Sequence, residues 1–120
     1  MPRRTPLDRL RQICLAFPEA EEKVFGGHTT PTYRVRDKIF VMESGEGARP
    51  AFWCKAPSGA QRILVGSDPE RFFAPPYVGP KGWIGMYLDR TVDWHLVAEL
   101  VTDSYRMTAP KRLLTLLDSH

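Results

Sequence analysis

The hydrophobic pattern of this chain changes its period part way along, and this change limits the folds that it can adopt. Between Glu21 and Cys54, short runs rich in Val, Ile, Phe, Tyr and Thr show period two and are separated by Gly, Asp and Pro. Such alternation is typical of antiparallel strands. From Asp93 onward, apolar residues recur every three or four positions, as in an amphipathic helix. Strands and helices in separate segments predict an α+β domain.

Helices are predicted before, between and after the strands. The first should run from Pro6 to about Ala16, because Thr5-Pro6-Leu7-Asp8 supplies a capping hydroxyl, a proline at the first helical position and an acid in the first turn. The other helices are expected from Pro57-Ser58-Gly59-Ala60 to Gly66, from Asp93 to Met107 and from Pro110 through Leu117.

The runs with period two predict five strands. They are Glu22 to Gly26, Thr32 to Arg36, Lys38 to Glu43, Pro50 to Lys55 and Gly82 to Leu88. We expect a tight hairpin at Arg36-Asp37-Lys38, a looser one over Ser44 to Arg49, a further helical turn from Asp68 and an ordered loop from Ala74 to Lys81. The order helix, four strands, helix, strand, helices predicts a two-layer α+β fold, in which a five-stranded antiparallel sheet packs against helices.

Composition excludes several classes of protein. The 120 residues, 42% hydrophobic and 26% charged, suit a single globular domain over residues 1–120 rather than a disordered or disulfide-stapled chain. No apolar run approaches the roughly 18 residues of a membrane span, and Met1-Pro2-Arg3-Arg4 leads into a charged stretch, which does not suggest the apolar region of a secretory signal. We therefore expect a cytoplasmic protein without a membrane partner. Cys14 and Cys54 lack paired spacing and the histidines lack ligand spacing, so no metal or organic cofactor is expected.

No catalytic residue is assigned from the sequence, which is more typical of a binding protein than of an enzyme. His28, His95 and His120 share no metal-ligand spacing, and His95 lies beside a helix cap, where a structural role is common. His28 follows Gly26-Gly27 and is expected in an exposed loop at a strand end, but the sequence assigns no nucleophile or paired carboxylate to it. An enzyme acting on a small metabolite would need a pocket, for which His28, Tyr77 and Lys81 are the candidate lining residues.

The charge of the chain is compatible with a polyanionic partner. Its formal net charge is +3 and its pI is about 9.1. One group of cations falls on the predicted strands: Arg34, Arg36, Lys38 and Lys55. If their face coincides with that of the rings Trp53, Trp83 and Tyr87, the surface would stack bases and neutralise phosphates. The alternative is that the rings pack under the helices and the cations form a solvated rim.

Two further places carry cations in an unusual context. Lys111 and Arg112 follow Pro110 in the first turn of the last predicted helix, where the macrodipole disfavours each positive charge by about 0.3–1 kcal/mol. A bound anion such as a phosphate would offset this cost, and the alternative partner is Asp103. Lys81 lies between Gly79-Pro80 and Gly82-Trp83, in a loop that either contacts a ligand or only shapes the entry into the last strand.

Residues 68–85 resemble the central motif of the MmcQ/YjbR family, from Asp68-Pro69-Glu70-Arg71 through Ala74-Pro75-Pro76-Tyr77-Val78-Gly79 to Gly82-Trp83-Ile84-Gly85. Similar segments recur at Phe25-Gly26-Gly27-His28, Pro31-Thr32-Tyr33-Arg34-Val35, Lys38-Ile39-Phe40, Val92-Asp93-Trp94, Ser104-Tyr105-Arg106 and Ala109-Pro110-Lys111-Arg112-Leu113. The resemblance thus spans nearly the whole chain. It implies a small bacterial protein with a fold similar to that of CyaY or the secretion chaperones, in a family often described as DNA-binding.

This resemblance, together with the cations, predicts a DNA-binding protein without catalysis. The expected nucleic-acid contacts are Arg34, Arg36, Lys38, Lys55, Lys81, Trp83, Lys111 and Arg112. The alternative is a protein- or peptide-binding module, because the similar secretion-chaperone fold presents its sheet and helices to polypeptide partners. The oligomeric state and the sequence or strandedness of the DNA stay open.

Overall fold

The computed structural model describes residues 5–24, 30–44, 49–89 and 91–118. Their elements, in chain order, are α1 (Pro6–Leu15), β1 (Ala20–Val24), β2 (Pro31–Val35), β3 (Lys38–Ser44), β4 (Ala51–Cys54), α2 (Ala60–Ser67), β5 (Phe72–Phe73), β6 (Ile84–Tyr87), α3 (Trp94–Thr108) and α4 (Lys111–Asp118). A short 3-10 helix, Gly79–Lys81, precedes β6. Among the described residues, no helix is both long and apolar enough to cross a bilayer.

Some sequence predictions fall outside the described residues. These include His28 and His120, the last two residues of the predicted strand Glu22 to Gly26, and most of the loose turn between Ser44 and Arg49.

The six strands form one antiparallel sheet in the order β1-β2-β3-β4-β6-β5. This confirms the α+β class and the predicted inclusion of the segment Gly82 to Leu88, which pairs with β4 as β6. The sequence predicted five strands, and the described residues form six. The additional strand, β5, occupies the edge beside β6, where the end of a helical turn was expected.

A glycine in the partner strand makes room for β5. The amides of Arg71 and Phe72 donate to the Asp68 carbonyl, which closes a single helical turn before β5. Phe73 then pairs with Gly85, and its ring lies over the glycine Cα, so that a methyl group at Gly85 would overlap the ring. A glycine inside a strand commonly marks such a close approach.

Two local features agree with the sequence, which predicted a capping hydroxyl with an acid in the first turn of α1 and a tight hairpin after β2. α1 begins with a capping box, in which the Thr5 hydroxyl accepts from the Asp8 amide and the Asp8 carboxylate accepts from the Thr5 amide, each at 3.1 Å. The hairpin between β2 and β3 turns on Arg36 and Asp37, whose φ angles are 52° and 64°. Two consecutive left-handed residues define the two-residue turn that matches the twist of antiparallel strands.

α3 packs across β3 and β4, while α1 packs against α3 and β1. Beneath α3 lies a cluster of rings. Tyr105 is stacked on Phe17 with centroids 4.7 Å apart and meets Phe40 edge-on at 5.4 Å. Cys14 and Cys54 are both fully buried in this core. Burial, and secondarily the charge of Asp103, raises the pKa of the Cys54 thiol to about 12.

A β-bulge shapes the middle of the sheet. Tyr33 pairs with Val41 and Arg34 pairs with Ile39, so Phe40 has no partner on β2. Phe40 and Val41 are nevertheless both fully buried. The bulge therefore lets two consecutive side chains of β3 enter the core, which strict alternation does not allow.

Candidate nucleic-acid interface

The strand order brings three predicted contact residues to one end of the sheet. Lys38 begins β3, Lys55 follows the last residue of β4, and Lys81 ends the 3-10 helix that leads into β6. Because β3, β4 and β6 are neighbours and antiparallel, the start of β3, the end of β4 and the start of β6 lie at the same end. We call Lys38, Lys55 and Lys81 the lysine cluster.

The charges of the lysine cluster act on one another. The pKa of Lys55 is lowered, first by partial burial and then by the positive charges of Lys38 and Lys81. Within the described residues, none of the three ammonium groups forms an ion pair. The cluster is thus a concentration of positive charge that no described carboxylate neutralises by a direct ion pair.

Ser104 holds the backbone beside the lysine cluster. Its hydroxyl donates to the Phe40 carbonyl at 2.6 Å and accepts from the Lys55 amide at 2.9 Å. One fully buried side chain of α3 thereby fixes β3 and the residue after β4. Sequence reasoning missed this role, although a small polar residue within the apolar stripe of a long helix was a usable signal.

Arg34 and Arg36 were predicted to contact phosphates, and both are paired with carboxylates of the chain itself. The Arg36 guanidinium bonds to both oxygens of Glu19, at 2.7 and 3.2 Å, and lowers the pKa of that carboxyl. Arg34 lies 3.3 Å from Asp37 and donates to the Thr32 hydroxyl, and its side chain is only 16% exposed. A phosphate at either guanidinium would have to compete with these carboxylates.

The aromatic residues share a face, but their rings are largely covered. Trp53 pairs with Gly85, and Tyr87 follows two residues later, so Trp53 and Tyr87 lie on the side opposite α3. Arg49 lies over the Tyr87 ring at 3.5 Å, and the Phe73 ring packs beside it at 4.6 Å. Trp83, a predicted contact, is only 8% exposed. These rings offer little surface to a stacked base.

Lys111 and Arg112 are exposed in the first turn of α4, as predicted. Neither forms an ion pair within the described residues. The positive charge of Arg112 lowers the pKa of the Glu19 carboxyl. This effect adds to the larger lowering by Arg36. Arg112 therefore lies near the Glu19–Arg36 pair.

His95, the one described histidine, lies exposed at the start of α3, where its amide donates to Asp93 at 3.1 Å. It lines a shallow groove along the helix with Ala98, Glu99, Thr102 and Asp103. Among the described residues, no three side chains of the His, Cys, Asp or Glu types are arranged to hold a metal ion. The expectation of a protein without a metal stays a prediction.

A separate titratable pair lies between the sheet and α1. The hydroxyl of Tyr33 donates to the Glu43 carboxylate at 2.5 Å. Burial raises the pKa of Glu43; the hydrogen bond from Tyr33 opposes this rise, and the charges of Glu22 and Asp8 add to it. Burial and the same hydrogen bond raise the pKa of Tyr33. The Glu43 carboxylate is thus partly buried and accepts a hydrogen bond from the Tyr33 hydroxyl.

We expect the stability supplied by Glu43 to fall as the pH rises. Because its pKa is raised in the folded chain, this contribution is fully present below the unfolded pKa and is lost as the pH rises through the folded pKa. Glu43→Gln keeps an acceptor for Tyr33 without the charge, so it should match the parent at low pH and exceed it by on the order of 1 kcal/mol at neutral pH. Urea unfolding at both pH values measures this, with the exposed Glu99→Gln as control. An equal difference at both pH values would contradict it.

The fold has a counterpart among solved structures. A crystal structure of the Deinococcus radiodurans protein DR2400, a DUF419 domain, is similar with a TM-score of 0.76 and 21% identity, covering 88% of this chain and 81% of that chain. The fold defined above is therefore that of a DUF419 domain. The sequence model of the YjbR family matches residues 15–107. The chain belongs to the YjbR family, which confirms the resemblance found in the sequence. No curated protein matches the chain significantly.

Proposed function

We propose that the chain is a DNA-binding protein and that its lysine cluster contacts the phosphates. The observation that carries this proposal is the meeting of three lysines from separate segments, none of which forms an ion pair with a described residue. The lowered pKa of Lys55 reflects burial and the repulsion between these charges. A phosphate group would relieve that repulsion, and its binding would release the counterions condensed on DNA.

The surroundings of Lys81 favour an extended anion. The adjacent Gly82 has a φ of 90°, and a Cβ placed there would meet no atom within 4 Å, so the backbone of this loop is open to an approaching chain. Lys111 and Arg112 are also exposed and without ion pairs among the described residues, and we include both in the proposed interface. Arg34 and Arg36 would contribute less, because each is paired with a carboxylate.

The test replaces all three lysines with Gln. Lys38→Gln, Lys55→Gln and Lys81→Gln together should weaken binding to labelled DNA of unrelated sequences about tenfold or more at low salt. Each lost phosphate contact should also reduce the slope of log affinity against log salt by about 0.9 on duplex DNA. Fluorescence anisotropy at several salt concentrations measures both quantities.

The matched control removes the same charge elsewhere. Arg9, Arg49 and Arg71 lie toward the opposite end of the sheet, near Trp94, Asp89 and Thr91 respectively. Their replacement by Gln should change binding much less, provided that circular dichroism shows the variant folded. An equal loss in both variants would mean that net charge, and not the lysine cluster, determines binding. If the parent binds no nucleic acid in a salt-dependent way, DNA binding is wrong and the polypeptide-binding alternative is preferred.

A further inference from the structure

Tyr77 is an exposed aromatic residue at a tight turn of the loop between β5 and the 3-10 helix. Its side chain is 90% exposed, the most exposed large hydrophobic side chain among the described residues. Its backbone has a φ of 66°, the left-handed region that non-glycine residues rarely adopt. Residues in such sparsely populated backbone conformations cluster at functional sites. The Tyr77 ring therefore contributes nothing to the hydrophobic core and is accessible to a ligand.

The loop that carries Tyr77 is ordered by hydrogen bonds on both sides. The amides of Val78 and Gly79 donate to the carbonyls of Pro76 and Pro75 at 2.7 and 2.9 Å. The Gln61 side chain, from α2, donates to the carbonyls of Gly79 and Trp83 at 2.8 and 2.6 Å. Since the backbone is fixed and a tyrosine has only two side-chain torsions, little entropy is lost when the ring is covered by a ligand.

Tyr77 shares this loop with Lys81 of the lysine cluster. The Lys81 amide donates to the Val78 carbonyl at 3.0 Å, and the 3-10 helix that carries the lysine begins two residues after Tyr77. An aromatic ring beside cations that track a backbone is the arrangement by which proteins hold single-stranded nucleic acids. The faces of bases within a duplex are already stacked, so an exposed ring gains most from an unpaired base.

We propose that Tyr77 stacks on an unpaired base of single-stranded DNA whose phosphates contact Lys81. This inference rests on the proposed function and adds strandedness to it. The contact is with the π-face that every base has, so the ring carries little sequence preference.

The experiment compares two substitutions at Tyr77 on three probes. Tyr77→Asn removes the ring and suits the left-handed backbone, whereas Tyr77→Trp retains a stacking ring. The probes are a labelled oligothymidine, a strand of the same length with abasic sugars, and a duplex. Tyr77→Asn should weaken binding to oligothymidine about tenfold, leave binding to the abasic strand and the duplex unchanged, and leave the salt dependence unchanged. Tyr77→Trp should bind oligothymidine like the parent.

Failure of this inference can be distinguished from failure of DNA binding. If the lysine triple variant loses affinity and Tyr77→Asn does not, DNA binding stands and stacking is wrong. An equal loss on the abasic strand also overturns stacking, because that probe has no base. A parent that binds only the duplex overturns stacking in the same way, and a parent that binds no probe removes both proposals.

Discussion

Replacing Tyr105 with Ala is expected to lower the free energy of unfolding by about 3–5 kcal/mol. The Tyr105 ring is fully buried and packs against Phe17 and Phe40, which come from the segment after α1 and from β3. Its removal leaves a cavity where helix and sheet meet. Because domains of this size are stable by only about 5–15 kcal/mol, the variant should lose a large share of its stability.

Tyr105→Phe is the matched control. It keeps the ring and removes only the hydroxyl, which donates to the Pro18 carbonyl at 2.7 Å. The expected loss is about 1 kcal/mol, the usual net value of one hydrogen bond. Urea unfolding of both variants separates the ring from the hydroxyl. Similar losses for Ala and Phe would show that the aromatic cluster contributes little and that the hydroxyl dominates.

The parts of the fold that the sequence predicted well depend on neighbouring residues. The capping box of Thr5 and Asp8 forms between residues three positions apart, and the turn at Arg36 and Asp37 is set by local backbone geometry. The apolar stripe of α3 likewise repeats within one helix. Such signals are readable without knowledge of what packs against them.

β5 could not be predicted in this way. The strand consists of Phe72 and Phe73 alone, and two residues are too few to show a hydrophobic period. They pair as a strand because the edge of β6 is available. The room for the Phe73 ring comes from Gly85, which is twelve positions away along the chain. The strand is thus a product of tertiary structure rather than of local preference.

The candidate site also combines features that are visible in the local sequence with features that depend on tertiary structure. The charge and sequence context of Lys38, Lys55 and Lys81 predict phosphate contacts at each position. That the three lie at the same end of the sheet depends on the order of β3, β4 and β6. The carboxylate that occupies Arg36 comes from Glu19, which lies before β1. Whether a surface cation is free or paired is decided by such distant contacts, so charge runs alone do not identify an anion site.

Replacing Ser104 with Ala is expected to lower the free energy of unfolding by about 2–4 kcal/mol. The variant leaves the Phe40 carbonyl without the hydroxyl that donates to it and the Lys55 amide without its acceptor. A buried polar group left without its partner costs about 1–3 kcal/mol, and two are affected here. The methyl group that remains fits the space, so a cavity contributes little to this loss.

Thr102→Ala is the control for this second prediction, because it also removes a hydroxyl from α3. That hydroxyl donates to the Ala98 carbonyl of the same helix, four residues earlier. No strand depends on it, so we expect a change within about 0.5 kcal/mol. Hydrogen exchange at the Lys55 amide should accelerate in Ser104→Ala and stay unchanged in Thr102→Ala, because the Ser104 hydroxyl accepts from that amide, whereas the Thr102 hydroxyl bonds within α3. If the two variants lose the same stability and the Lys55 amide stays protected in both, Ser104 does not fix the strand that leads to the lysine cluster.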